Sequence, residues 1–311
     1  MAGRSKPLLL CVGDIDMDII VRVERPPGPD QKADGRRVAQ TPGGMAANVA
    51  VGARRLGTDV RLLGAVGDDA MGQEALTALG AEDLDLAHVV VRTETPTFFC
   101  VIMVDAQGEK SLIKVLSDAY LPRPDDLTPH AFRDAAHVHL TFTEPALARR
   151  AAELARAAGA RLSLDLEAAD LPADPAPVID LLRAVDLLFV SGQSRQEIER
   201  RMGPLPADGR TIVTTLGAGG ARLETAQGRL DVGGHRVPVT DTSGAGDAFA
   251  AAYLHATLDG AGQAEALRFA NAAAALSTSA YGAQAGMQGR EAVIRFLDPT
   301  HGEADHARPP L

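Results

Sequence analysis

From about residue 138 onward, short Leu- and Val-rich runs alternate with helix-like stretches at regular spacing. Residues 138–142, 161–166, 185–190 and 211–216 read as strands, while 145–158 (closed by Gly159) and 195–202 read as helices. Such alternation leaves few topologies. Each strand must cross over a helix, right-handed, to lie parallel to a neighbour, and the sheet must be covered on both faces. The same grammar appears earlier, in a strand at 8–12, a helix at 43–55 stopped by Gly57, a strand at 60–66 and a helix at 70–79. Residues 247–258 and 264–281 read as the last long helices. Two segments break the pattern. Residues 97–105 and 110–116 are β-rich runs around the turn Asp105-Ala-Gln-Gly108, and 15–24 reads as an exposed continuation of the first strand. Residues 25–40, rich in Pro, Asp and Arg, predict a loop with one edge strand. The expectation is a single α/β domain over 1–297, with strands from about 15–42 and 95–117 forming a small β-sheet lid, and a polar, flexible tail at 298–311.

Charge narrows the function. A net charge of −10 disfavours nucleic acid as a partner, since neutralising phosphates needs a basic face. Lysine occurs only at positions 6, 32, 110 and 114. Cys11 and Cys100 sit in apolar runs outside any C-x-x-C pattern, as buried reduced thiols do. The apolar run at 8–12 is too short for a signal peptide or membrane span, so the default expectation is a cytoplasmic protein with no membrane partner.

The strongest chemical signal is Asp241-Thr-Ser-Gly-Ala-Gly-Asp247-Ala-Phe249. Gly244, Ala245 and Gly246 run straight into a helix start, where unpaired N–H groups and the helix dipole make an anion hole. A carboxylate at the same terminus, Asp247, can take a proton from a hydroxyl placed beside that hole. The blander reading makes Asp247 a mere cap. Competing motifs are missing: no Gly-Lys dipeptide for a P-loop, no G-x-G-x-x-G after the first strand, no G-x-S-x-G elbow. Asp14, Asp16 and Asp18 follow the first strand at alternate positions, which in an extended segment share one face. Thr41-Pro-Gly43-Gly44-Met45-Ala-Ala-Asn48 is a second glycine-led helix start; paired glycines admit a ligand close to the backbone, and Asn48 one turn on can turn its amide toward it. His137-Val-His139 places two imidazoles on one strand face, but no third and fourth metal ligand follow at suitable spacing. Asp165-Leu-Glu167 ends a strand, where open α/β sheets bind ligands, and suits metal or acceptor binding.

These residues resemble the signatures of the PfkB/ribokinase-family carbohydrate kinases. Residues 241–249 are similar to the C-terminal signature D-T-x-G-A-G-D-x-F and residues 43–57 to the N-terminal one, with two further similar stretches at 64–72 and 214–220. The resemblance implies a ribokinase-like three-layer α/β domain with a central, mostly parallel sheet and a small β-sheet lid, transferring the ATP γ-phosphate to a hydroxyl. By position, Asp247 is the base, and Gly244, Ala245 and Gly246 form the anion hole. Asp16, Asp18, Gly43, Gly44, Met45 and Asn48 cradle the acceptor. Ser194, Thr215, Gly217, Gly220 and Asn271 meet the nucleotide. Asp241, Ser243 and Gly282 match positions holding a monovalent cation, such as K⁺, in some members. Mg²⁺ would accompany ATP.

Two departures bear on specificity. The family's N-x-x-E has its best match in Ser194-Arg-Gln-Glu197, with Ser191 an alternative start, which makes Glu197 the Mg²⁺ candidate. Met45 stands where sugar kinases of this family often carry a polar residue. Three readings stay open: a kinase of sugars or sugar acids, a nucleoside kinase, which the apolar Met45 favours, and a ligand-binding or regulatory protein without turnover. An exposed lid sheet would also suit a homodimer.

Overall fold

In the computed structural model, residues 6–107 and 109–298 are described. The tail expected at 298–311 therefore lies, but for Asp298, outside the described residues, as does Gly108 of the expected hairpin turn. The strands are β1 (Leu8–Val12), β2 (Asp16–Val23), β3 (Gly35–Gly43), β4 (Asp59–Leu63), β5 (Ala65–Gly67), β6 (Val90–Arg92), β7 (Phe99–Val104), β8 (Lys110–Val115), β9 (Ala135–Leu140), β10 (Arg161–Asp165), β11 (Leu187–Ser191), β12 (Thr211–Thr215), β13 (Ala221–Thr225) and β14 (Gly228–Val232). The helices are α1 (Met45–Leu56), α2 (Ala70–Gly80), α3 (Pro129–Phe132), α4 (Pro145–Ala158), α5 (Ala176–Ala184), α6 (Gly192–Met202), α7 (Ala245–Leu258), α8 (Gln263–Ser277) and α9 (Arg290–Leu297).

One eight-stranded sheet runs β14-β13-β12-β11-β10-β9-β1-β4. It is parallel from β4 to β12 and ends in the antiparallel pairs β12–β13 and β13–β14. Alternation along each central strand divides the core into two layers. Leu9, Cys11, Leu187, Phe189 and Val213 face one cluster with α1, α7 and α8; Leu10, Val12, Leu188, Val190 and Ile212 face the other with α4, α5 and α6. Burial on both faces is why these strands are written as unbroken apolar runs.

Helix α7 is apolar nearly all round, and its residues from Asp247 to Ala256 are buried. Such a helix must sit between other elements, and α1 makes room with small residues. A Cβ on Gly52 would stand 2.9 Å from that of Ala251 and 3.2 Å from Met287 Sδ. This close approach fixes where the N-terminus of α7 ends up: at the carboxyl ends of the parallel strands.

A separate four-stranded sheet, ordered β3-β2-β7-β8, stands over that same end. Here the structure corrects several expectations. Residues 15–24 do not continue β1; the chain turns after Val12 and enters the small sheet as β2, largely buried. Residues 35–43 form a full strand where a loop was expected to dominate, and the first helix begins at Met45. The strand expected at 60–66 breaks at Gly64, where a Cβ would press on Ile15 Cδ1 at 2.7 Å and Gly13 O at 2.8 Å. Elements α5, α9 and the β13–β14 hairpin were not anticipated.

Candidate active site

Between the two sheets lies a cleft of about 1480 Å³, bordered by the ends of β10, β11 and β12, the N-terminus of α7, and β2, β7 and β8 of the small sheet. A single small ligand needs about 300–1,000 Å³, so this space suits two substrates side by side. Strand ends at an open α/β sheet are where ligands bind.

The chemistry centres on α7. Gly244, its N-cap, has φ 70°, and a Cβ there would clash with Ala283 Cβ at 2.6 Å. A Cβ on Gly246 would meet no protein atom within 4 Å, so that position opens onto the cleft. Gly244, Ala245, Gly246 and Asp247 all line it. Asp247 Oδ2 accepts a hydrogen bond from Asn48 Nδ2 at 2.8 Å, and Asn48 Oδ1 accepts one from Gln284 Nε2 at 3.0 Å. Asn48, expected in the acceptor cradle, thus lines the cleft while also orienting the carboxylate; Gln284, which no local motif marks, orients Asn48. Burial pushes the Asp247 carboxyl well above its ordinary range; the Asn48 bond opposes this and the charges of Asp165, Asp14 and Glu167 add to it.

Asp16 and Asp18 of β2 also line the cleft. In the β2–β3 register Asp16 lies opposite Gly43. A Cβ on Gly43 would fall 2.3 Å from Asp16 Oδ1 and 2.6 Å from Asp18 Oδ2, so only glycine leaves these carboxylates their places. Gly43 lies behind them, outside the cleft lining, while Gly44 and Met45 are in it. Cys100 Sγ on β7 donates to Asp16 Oδ2 at 3.4 Å, and Asp16 Oδ1 is buried with no protein partner. Burial, with Asp18 and Asp14 close by, drives Asp16 well above the usual carboxylate range; burial and the charges of Asp241 and Asp14 push Asp18 to about 6. Asp14 lines the cleft too, but both its oxygens are engaged. Its oxygens accept from Met45 N at 3.1 Å, Ala46 N at 3.3 Å and Thr141 Oγ1 at 3.0 Å, capping α1 from outside.

The remaining wall holds Thr215, Gly217, Gly220 and Asn271. Gly220 has φ 97°, and a Cβ there would hit Val232 O at 2.1 Å. Asn271 Nδ2 donates to the carbonyls of Val232 and Gly233 at 3.3 and 3.2 Å, tying α8 to the end of β14. Ser191, N-cap of α6, accepts Ser194 N–H at 3.0 Å, and Arg195 fastens that helix to Thr214 Oγ1 at 2.9 Å and to Glu224.

Ser194 lines the cleft, and Glu197 does not. Lying beyond the cleft-facing end of α6, Glu197 is half-buried and bonded to Arg200 at 2.6 and 2.8 Å. Glu197, the Mg²⁺ candidate by motif spacing, thus stands outside the cleft lining. Of the two motif starts the sequence offers, Ser191 is the one whose four residues, 191–194, all line the cleft. The carboxylates that do face Asp247 from this side are Asp165 and Glu167, and burial followed by repulsion from Glu167 and Asp170 pushes Asp165 to about 8.

Asp241, Ser243 and Gly282 come together beside the α7 N-terminus. Asp241 accepts from Ser243 N at 2.8 Å and Gly282 N at 2.9 Å. Lys110 of β8 adds its ammonium, 3.2 Å from Asp241 Oδ1 and 3.0 Å from Ser243 Oγ. His137 and His139 turn into the core. Both bond Ser163 Oγ at 2.8 Å within the core, and burial holds both near pKa 3, as neutral imidazoles.

Residues 6–289 match the description pfkB family carbohydrate kinase. The chain belongs to that family. Among relatives of this pfkB member, an ATP-dependent ribose-1-phosphate kinase of Halopiger xanaduensis is 32% identical over 93% of this chain and 97% of its own length. A ribokinase of Bacillus subtilis is 30% identical over 93% of this chain and 99% of its own. In the same pfkB fold, the structure of Arabidopsis thaliana ribokinase complexed with ribose and ATP superposes with a TM-score of 0.80 at 27% identity, covering 95% of this chain and 99% of that one.

Proposed function

We propose that this protein transfers the γ-phosphate of ATP to a hydroxyl of a small sugar or sugar derivative, with Asp247 as general base. One observation carries the reading: a buried carboxylate, oriented by Asn48, at the same helix terminus as the glycine-opened N–H groups of 244–246. Proton acceptance and stabilisation of the transferring phosphoryl group then occur within one turn of backbone. ATP lies along the wall of Thr215, Gly217, Gly220 and Asn271, with Ser194 toward its phosphates. The acceptor lies against Asp16, Asp18, Gly44 and Met45, where the unpartnered Asp16 Oδ1 suits a hydroxyl donor.

The small sheet acts as a lid whose closure keeps water from the phosphoryl group. Hard cations take carboxylate oxygens, and the crowded acids Asp165 and Glu167, both lining the cleft, fit that need, whereas Glu197 stands outside it. Mg²⁺ brought with ATP would be held on the Asp165–Glu167 side and would neutralise charge on the β- and γ-phosphates. Asp247 accepts the hydroxyl proton, and the α7 terminus holds the charge that moves onto the phosphoryl oxygens.

A nucleoside acceptor is the second reading, favoured by the apolar Met45 in the cleft lining. Ile113, Val115 and Leu116 of the small sheet region are exposed, which favours self-association through the lid. No helix among the described residues is long and apolar enough to cross a membrane.

The test is ATP consumption against aldoses, ketoses, sugar acids, ribose 1-phosphate and nucleosides in the presence of Mg²⁺. Turnover with one class identifies the acceptor. ATP binding without turnover across the panel would instead favour a ligand-binding protein of this fold.

A further inference from the structure

Lys110 is the first residue of β8, and its side chain leaves the small sheet for the loop that opens α7. The carboxylate it meets is buried, with the Asp241 side chain only 2% exposed. Burial by itself would raise Asp241; the N–H groups of Gly282 and Ser243, the Ser243 hydroxyl and the Lys110 charge outweigh it and hold the group below its ordinary range. The hydrogen bonds favour the ionised form, and the ammonium adds an opposite charge beside it. The matching positions in some family members hold a monovalent metal ion, and the oxygens of Asp241 and Ser243 would suit one. Gly282 N–H occupies the second oxygen, Asp241 Oδ2, at 2.9 Å. The place next to Asp241 Oδ1 and Ser243 Oγ is taken by an ammonium.

We propose that Lys110 is a positioning residue for phosphoryl transfer, its ammonium serving at Asp241 and Ser243 in place of a monovalent metal ion. The proposal rests on the kinase reading above. Ser243 directly precedes Gly244, so a cation gripping Ser243 Oγ and Asp241 fixes the start of the anion hole. Because that cation is carried by the lid, the anion hole is fully ordered only when the lid is down. Withdrawal of β8 would remove the ammonium and leave Asp241 to its N–H and hydroxyl partners alone, which opposes opening. The far end of β8 supplies a built-in control. Lys114, four residues on and facing the same cleft, reaches Asp170 at 3.7 Å, on the β10 side and away from the α7 loop. It latches the lid without touching the anion hole.

The experiment compares wild type, Lys110→Ala and Lys114→Ala in tetramethylammonium, K⁺ and NH₄⁺ chlorides at fixed ionic strength. It reads kcat, acceptor KM and Tm. Wild type is expected to be indifferent to the salt. Lys110→Ala is expected to lose about tenfold or more in kcat in tetramethylammonium, the scale of a hydrogen bond to a charged group. K⁺ or NH₄⁺ should restore much of that loss and raise Tm in this variant alone. Lys114→Ala should respond to none of the salts. The inference is overturned if wild type itself needs K⁺, if Lys110→Ala keeps full kcat in tetramethylammonium, if no small cation rescues it, or if Lys114→Ala is rescued equally. If wild type turns over no acceptor, the kinase reading is what fails; the K⁺-specific Tm shift of Lys110→Ala then decides the cation role alone.

Discussion

Asp247 sits at the start of a helix, where the dipole favours an anion, yet burial and three neighbouring acids lift its proton affinity well above that of a free carboxyl. The outcome is a stronger base, present in its working form only once the proton is gone. The expected kcat/KM profile therefore rises with pH along a limb above the ordinary carboxylate range. Asn48→Ala removes the bond that favours the ionised form, so it should move that limb further up, a shift that a merely structural change would not produce. Asp247→Asn should cut kcat by about 10²- to 10⁴-fold, the span of general-base catalysis, with ATP binding retained by calorimetry. Full turnover in Asp247→Asn would remove the residue from the mechanism.

At the scale of elements, the cleft depends on two close approaches, each legible only in part. Where β3 passes β2, a methyl at position 43 would displace both acceptor-side carboxylates. Gly43→Ala is thus expected to raise acceptor KM about tenfold or more, as misplacing positioning groups does, while ATP KM changes little; steady-state kinetics against both substrates separates the two. Where α1 meets α7, Gly52→Val overpacks the contact with Ala251 and should cost about 1–3 kcal/mol, read as a lower denaturant midpoint at unchanged slope. The parallel sheet was written in the sequence because strands buried on both faces, such as Leu187–Ser191, need apolar residues throughout. Gly244 and Gly43–Gly44 stood out because each glycine run leads straight into a helix whose first N–H groups have no intrahelical partner. The β13–β14 hairpin carried no such signal, since its exposed edge admits Arg, Glu and Asp. The Asp14, Asp16, Asp18 row read as one face, but Asp14 precedes β2 and caps a helix 31 positions away. Glu197 matched a motif by spacing, yet only the first turn of α6 fronts the cleft, and Glu197 lies beyond it. Lys110 was invisible as a site residue because its partner Asp241 lies 131 positions on.

Over the whole molecule, function has gathered acids into one cleft, and the charge cost should be visible in stability. Asp165 titrates near 8 in the fold against a reference of 3.8, and Asp18 near 6, both first because burial disfavours the charged form. Asp16 and Asp247 shift in the same direction. A carboxyl whose proton is held more tightly in the folded state than in the unfolded chain stabilises the fold at low pH. That contribution is full below the unfolded pKa and is lost as pH climbs to the folded one. For these groups the window runs from about 4 up to about 8 for Asp165, and each pKa unit of difference corresponds to about 1.4 kcal/mol. Asp69, Asp85 and Asp241, held below their ordinary values, act oppositely and only under more acid conditions. The ligand-free protein is accordingly expected to lose thermal stability between pH 5 and 8, about the upper part of that window. Asp165→Asn should flatten the decline, because a neutral amide has no proton to give up. Mg²⁺ with ATP should restore stability most at the alkaline end, where the cleft carboxylates are ionised and a divalent cation finds its ligands. Melting temperatures across pH, with and without MgATP, check each part; a flat wild-type curve would mean that the cleft acids stay solvated in the free enzyme and that the lid stands open until substrate arrives.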